Sequence, residues 1–202
     1  MSSEPDLTER VVSSQEELDA AWIDGPPAPS GPILIADYDP AWPELYARER
    51  ERICDLLGKA VVSIEHIGST SVPGLAAKPV IDIDLVVADS ADESSYVPQL
   101  ETAGYRLIIR EPNWHEHRCL KGPDTNVNLH GFSPGSPELT RHLVFRDWLR
   151  AHPEDRDLYE RTKRSLAAKA ELDDVRTYTD AKDAVIDAIY ARAAAHRPLS
   201  PR

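Results

Sequence analysis

The sequence predicts an α/β (α+β) fold, a mixed β-sheet of about five strands flanked by helices, with a helical C-terminal third. Three observations carry this expectation. Val80 to Val87 is a run of β-branched and apolar residues with nothing in it that favours a helix. Ahead of it, Trp42, Leu45, Tyr46, Ile53, Leu56 and Leu57 recur at helical intervals. Beyond Ser136 the pattern is wholly helical. At 202 residues the chain suits one domain with a real core and is too short for two large ones.

In chain order, residues 1–32 stand apart as an acidic, Pro-rich extension, with Arg10 the one base among seven acids and a linker composition from Gly25 to Pro32. Leu18 and Trp22 allow a short helix over Glu16–Ile23, which reads as part of a docked tail. Residues 33–197 form the single domain, divided into a sheet core over 33–135 and a helical part over 136–197. Pro43 in a first turn and Gly58 at the stop bound the first helix. Val61–Ile64 reads as a short strand, and the Gly, Ser and Pro of His66–Gly74 read as a loop. After the Val80–Val87 strand, Ser90 with Glu93 resembles a capping box for a helix closed by Gly104. Strands follow at Tyr105–Ile109, His117–Lys121 and Asn126–Phe132, then helices from Pro137, over Leu158–Leu166 and over Tyr178–Ala195.

Twenty-three Lys and Arg against thirty-five Asp and Glu give a net charge of −12, which repels phosphate backbones and excludes bulk nucleic-acid or anionic-membrane binding. A small ligand handled with a metal fits better. Cys54 and Cys119 are far apart and lack any Cys-x-x-Cys pairing, so neither a disulfide framework nor a cysteine zinc site is expected. With no leader-like segment and no span long enough for a bilayer, the expected location is the cytoplasm. Residues 105–150 are locally basic, as an anion-binding cleft would be.

Alternation in a strand puts Asp82 and Asp84 on one face, about 7 Å apart at Cα, and Ile81, Ile83, Leu85 and Val87 on the other. Two adjacent carboxylates repel unless a cation neutralises them, and hard oxygen ligands suit Mg²⁺ or Mn²⁺. The plainer reading is a half-exposed strand whose polar face is wet. Gly68 and Ser69, just after a strand, allow backbone amides and a hydroxyl to approach a phosphate.

Three segments resemble the GrpB (UPF0157) family: DYDPAW at 37–42, HIGSTSVPGLAAKPVIDI at 66–83 and RHLVFRDWLRAHP at 141–153. That family is similar to the nucleotidyltransferase superfamily, with its Gly-Ser loop, Asp-x-Asp strand and third carboxylate on a neighbouring strand. The resemblance implies that Gly68 and Ser69 bind phosphate and that Asp82 and Asp84 hold metal. It also implies a nucleoside monophosphate transferred from an NTP to a small polar acceptor. The sequence departs from the superfamily at the third acid, where Asn128 and His130 occupy the polar face, so His130 is a candidate ligand or base. The alternative is a nucleotide-binding or regulatory module without catalysis. Lys78 and Arg118 are candidates for phosphate oxygens. Arg141, Arg146, Arg150 and Lys182 read by default as a solvated helical face, Arg146 being the better candidate for the site. His115, Glu116 and His117 alternate in direction and do not suit one ion, and Trp114 and Trp148 read as packing.

Overall fold

The computed structural model describes residues 6–9, 11, 13–26, 33–169 and 182–196. Helix α1 (Gln15–Ala20) lies in the N-terminal extension and α2 (Trp42–Leu57) opens the domain. They are followed by β1 (Ser63–Ile67), β2 (Ile81–Val86), α3 (Val97–Thr102), β3 (Arg106–Glu111), β4 (His117–Lys121) and β5 (Val127–Phe132). Helices α4 (Pro137–Ala151), α5 (Pro153–Ala167) and α6 (Asp183–His196) complete the described chain. The strands form one five-stranded sheet in the order β1-β2-β5-β4-β3. Only β2 and β5 are parallel; the other three pairings are antiparallel. The expected mixed sheet with a helical C-terminal part is what is found.

Each face of the sheet has a different destiny. Ile81, Ile83, Leu85, Leu120, Val127 and Leu129 point to one side, where α2 and α3 cover them with Trp42, Ile53, Leu57, Val97 and Leu100. Burying aliphatic side chains of this size contributes about 1.5–3 kcal/mol each. The opposite face carries the alternate residues of the same strands, among them Asp82, Asp84, Asn128, His130, His117 and Lys121, with Val86, Cys119 and Phe132 beside them. A second core forms where Val72 and Leu75 of the β1–β2 connection pack with Leu149, Tyr159 and Ile189 of the C-terminal helices. The connection is therefore tied down by its own apolar side chains.

Several expected boundaries move. His66 and Ile67 belong to β1, because their neighbours pair with β2 through the register Ile67↔Asp82, and the loop begins only at Gly68. The Ser90–Glu93 capping box does not form: Ser90 Oγ donates to Glu116 O, Glu93 binds Arg110 and Arg118, and α3 starts after Tyr96. The capping box is instead at Ser14 and Glu17, opening α1. The expected helix from Tyr178 has its first residues outside the described ones. The extension docks as expected: Ile23 N donates to Ile108 O, Arg110 N to Ala21 O, and Leu7 is buried.

On the apolar side, His66 stacks on Tyr46 with ring centroids 4.7 Å apart. The Thr70 hydroxyl donates to Val80 O at 3.0 Å, so it accepts from His66 Nε2–H at 3.1 Å, which fixes a neutral tautomer. Burial lowers the His66 pKa to about 4 from an ordinary 6.5. The unfolded chain takes up this proton near pH 6.5 and the folded chain only near pH 4. The stabilisation is thus complete above about 6.5 and is lost as pH falls towards 4, a difference of about 3 kcal/mol. Urea unfolding midpoints at pH 7 and pH 4.5 are expected to fall further in the native protein than in His66→Gln. Equal falls in the two proteins contradict the assignment.

Candidate functional site

The polar face is organised in rows that run across the strands. Pairing in register places Ile67, Asp82, Asn128 and Lys121 in one row, and Glu65, Asp84, His130 and Cys119 in the next. A third row brings in Phe132, His117 and Glu111, with the His117 ring stacked on Phe132 at 4.8 Å. Asp82 and Asp84 thus share the face that strand alternation assigns them.

Gly68 follows Ile67 at the edge of the first row, with φ +68°. A Cβ there would meet Asp82 Oδ2 at 2.5 Å, so the loop backbone lies directly against the carboxylate, and only glycine combines this conformation with this approach. The loop is held from behind. Arg150 donates to Ser71 O through Nε and Nη2, and Arg146 donates to His66 O and Glu65. From α5, Glu160 accepts from Ala76 N and Lys163 donates to Ala76 O. Burial, with Lys182 nearby, lowers Lys163 to about 7. Arg146 and Arg150 therefore both hold this segment, Arg146 largely buried and Arg150 with its side chain still partly exposed.

Asp82 accepts from Asn128 Nδ2 at 2.8 Å and has His130 Nε2 3.7 Å away. Burial alone would raise its carboxyl, but His130 and Asn128 hold it below the usual carboxylate range. Burial opposes charge on His130, yet Cys119 and Asp82 raise it well above its ordinary value. His130 Nδ1 lies 3.0 Å from His117 Nε2, and His117 Nδ1 lies 2.6 Å from Glu111 Oε2. Burial lowers His117 to about 4, so it is neutral, donates from Nδ1 to Glu111 and accepts from His130 at Nε2. A continuous chain of hydrogen bonds thus runs from Glu111 to His130 beside Asp82. Asp84 is 2% exposed, and both its oxygens accept from His142 Nδ1, at 3.1 and 2.9 Å.

Of the residues singled out in the sequence, Gly68, Asp82, Asp84 and His130 come together, with Ser69 opening the short turn that follows Gly68 and Lys78 four residues ahead of Asp82. Arg118 does not join them. Its neighbours His117 and Cys119 face the site, so alternation turns it to the other side, where it donates to Glu93. The expected basic cleft is similarly reduced, because Arg110 pairs with Glu93 and Arg141 donates to the Leu7 and Glu9 carbonyls of the extension. Sequence reasoning missed His142, His117 and Lys121. His142 sits on α4 one turn before Arg146, and nothing in the sequence marks it without the packing of α4 against β1.

Two depressions, of about 370 and 320 Å³, contain neither aspartate: one lies between the extension and α3, the other beside the start of α2. The site is a polar trough. Among the described residues no three His, Cys, Asp or Glu side chains form a group able to hold a metal by themselves. Mg²⁺ is commonly bound by one or two carboxylates completed by substrate phosphates, so the Asp82–Asp84 pair beside the Gly68 backbone fits one such ion arriving with a polyphosphate.

The GrpB protein family model matches residues 32–192. The chain belongs to the GrpB family. It is 51% identical over 188 residues to a UPF0157 protein of Halalkalibacterium halodurans, covering 93% of this chain and 96% of the relative. A UPF0157 protein of Streptomyces coelicolor is 48% identical over 82% of this chain and 86% of its own. The crystal structure of GrpB from Enterococcus faecalis superposes with a TM-score of 0.72 at 32% identity, over 80% of this chain and 98% of that one. A protein of Mycolicibacterium paratuberculosis named dephospho-CoA kinase is 29% identical, and the chain spans 50% of its length. No helix among the described residues is long and apolar enough to cross a membrane.

Proposed function

We propose that this GrpB protein is a metal-dependent nucleotidyltransferase-like protein that binds an NTP at Gly68 and Ser69 and transfers its nucleoside monophosphate to a small polar acceptor in the cytoplasm. The observation that carries the reading is the Gly68 backbone laid against Asp82, in a loop clamped by Arg146, Arg150, Glu160 and Lys163. A loop fixed in this way presents its backbone to phosphate oxygens without further ordering, which lowers the entropic cost of binding. Asp82 and Asp84 are the residues that would hold Mg²⁺ or Mn²⁺. When bound, the ion offsets phosphate charge and lowers the pKa of an acceptor hydroxyl. His130 stands at Asp82 with its Nδ1 linked through His117 to Glu111, and with its pKa raised it turns a positive charge towards phosphate oxygens rather than acting as the base. Lys78 adds positive charge at the same end.

A second reading, a nucleotide-binding module without turnover, is favoured by one observation. The strand beside Asp82 and Asp84 presents Asn128 and His130, not a third carboxylate, and Asn128 is already committed to Asp82. One experiment separates the two. Each NTP is titrated with and without Mg²⁺ or Mn²⁺ while heat stability and pyrophosphate release are followed, with Asp82→Asn/Asp84→Asn as control. Ligand that binds the native state raises the midpoint by mass action. Metal-dependent stabilisation with pyrophosphate release supports transfer, stabilisation alone supports the binding module, and no stabilisation with any NTP rejects both.

A further inference from the structure

The row that begins at Gly68 and Asp82 ends in a lysine. Lys121 stands in register with Asn128 at the end of β4, on the same face as Asp82 and two strands from it, about 10 Å at Cα. Its Nζ donates to Asn126 Oδ1 at 3.2 Å, and Asn126 Nδ2 donates to Pro79 O at 3.0 Å, which ties this end of β4 to the segment carrying Lys78. Both lysines are half-buried. Among the described residues neither has a carboxylate within ion-pair distance, although the chain carries a net charge of −12. The arginines of the neighbouring strands, by contrast, are all engaged: Arg106 with Asp24, Arg110 and Arg118 with Glu93.

Burial lowers the pKa of both lysines, and each also feels the other end of the row: Lys78 through Lys121, Asp82 and Lys182, and Lys121 through Cys119 and Asp82. Two half-buried lysines at this end of the sheet, which have only Asp82 as a common carboxylate nearby and no ion pair among the described residues, are costly to keep charged unless a ligand supplies a further anion. An ammonium donates three hydrogen bonds to oxygen and suits phosphate as a point charge.

We infer that Lys78 and Lys121 form a seat for phosphoryl oxygens, across Asp82 from the Gly68 loop, that works without a metal. The inference rests on the nucleotidyl-transfer reading only for its biological purpose, since the seat stands on the two lysines alone. Two sources offer the same chemistry: the polyphosphate tail of the nucleotide, or a phosphorylated acceptor.

The test uses the full chain and inorganic triphosphate, titrated calorimetrically in EDTA at low salt. Binding is expected, and Lys121→Gln and Lys78→Gln are each expected to weaken it about tenfold, the value of one charged hydrogen bond. Both side chains are half-exposed, and unchanged unfolding midpoints of the variants exclude a folding defect. Triphosphate binding that both variants retain at native strength, or no binding by the native protein, overturns the seat. If lysine-dependent triphosphate binding is seen while Mg²⁺ and NTP fail to stabilise the protein, the seat stands and the nucleotidyl-transfer reading falls. With a saturating non-hydrolysable NTP and Mg²⁺ present, lysine-dependent binding of glycerol 3-phosphate alongside it assigns the seat to a phosphorylated acceptor. Loss of that binding in competition assigns the seat to the nucleotide's own tail.

Discussion

Gly68→Ala is expected to lower the unfolding midpoint by roughly 5–10 °C and to abolish stabilisation by Mg²⁺ with NTP. Two costs combine at this position. A non-glycine residue at φ +68° stores about 1–3 kcal/mol of backbone strain. The new methyl would also sit 2.5 Å from Asp82 Oδ2 and 3.0 Å from Asp82 Cβ, and the second atom cannot swing away as a side-chain tip can. Relief requires the loop to lift, but Val72 and Leu75 are fully buried and Arg150 holds Ser71 O. The strain therefore falls on the Asp82 rotamer, the residue assigned to metal. Gly74→Ala is the control: its φ is +78° but a Cβ there meets nothing within 4 Å, so it carries the backbone cost of about 1 kcal/mol alone. Differential scanning calorimetry with and without Mg²⁺ and ATP checks both variants. If Gly68→Ala melts like Gly74→Ala and keeps its nucleotide response, the contact with Asp82 does not shape the site.

Legibility from sequence followed the length of the interactions involved. The apolar and acidic faces of β2 were legible because alternation is a local rule, and Ile81, Ile83 and Leu85 against Asp82 and Asp84 obey it. The start of the loop was misplaced by two residues because the Gly and Ser content of His66–Gly74 outweighed the pairing of Ile67 with Asp82, which is a tertiary fact. Arg118, a candidate for phosphate oxygens in the sequence, falls on the face away from the aspartates for a related reason. The alternation of His117, Arg118 and Cys119 was readable, but which parity faces the aspartates depends on the register Cys119↔His130. The same register turns His117 from a discounted residue into the partner of His130. His142 was illegible as a site residue because it reaches Asp84 across 58 positions of sequence from a helix rich in charged residues. Such a helix reads as solvated unless its packing against the sheet is known.

The basic character of residues 105–150 shows why charge counts alone mislead about a cleft. Arg141 is buried under the extension, its guanidinium stacked 4.2 Å from the Tyr190 ring, and so contributes to holding the tail rather than to the trough. Arg150 donates to the loop carbonyl of Ser71, and Arg146 donates to the β1 carbonyl of His66 and to Glu65 and Asp147. What is left facing the trough on β4 is one lysine. Fixed loop geometry and a small positive field are thus separated: α4 and α5 supply the first, and the N-terminal end of β2 with the end of β4 supplies the second.

His142→Ala is expected to destabilise the protein by about 2–4 kcal/mol in EDTA, and Mg²⁺ is expected to restore part of that loss. Asp84 is 2% exposed, and among the described residues no other side chain is hydrogen-bonded to it. Truncating His142 leaves a buried carboxylate with water and Asp82 as its company, which is the costly half of a broken pair. Asp84→Asn removes the charge while keeping an acceptor for His142 Nδ1, so it is expected to cost only about 1 kcal/mol. Combined with His142→Ala it is expected to be less destabilising than His142→Ala alone, a non-additivity that marks direct coupling. In the native protein a cation must displace His142 before it reaches Asp84, so millimolar Mg²⁺ without nucleotide is expected to leave the midpoint unchanged. In His142→Ala that competitor is gone, and Mg²⁺ is expected to raise the midpoint in proportion to the logarithm of its concentration. Thermal unfolding of the four proteins across a Mg²⁺ series checks every limb of this cycle. A native protein stabilised by Mg²⁺ as strongly as His142→Ala contradicts the idea that His142 guards Asp84. A His142→Ala that ignores Mg²⁺ contradicts the assignment of Asp84 as a metal ligand.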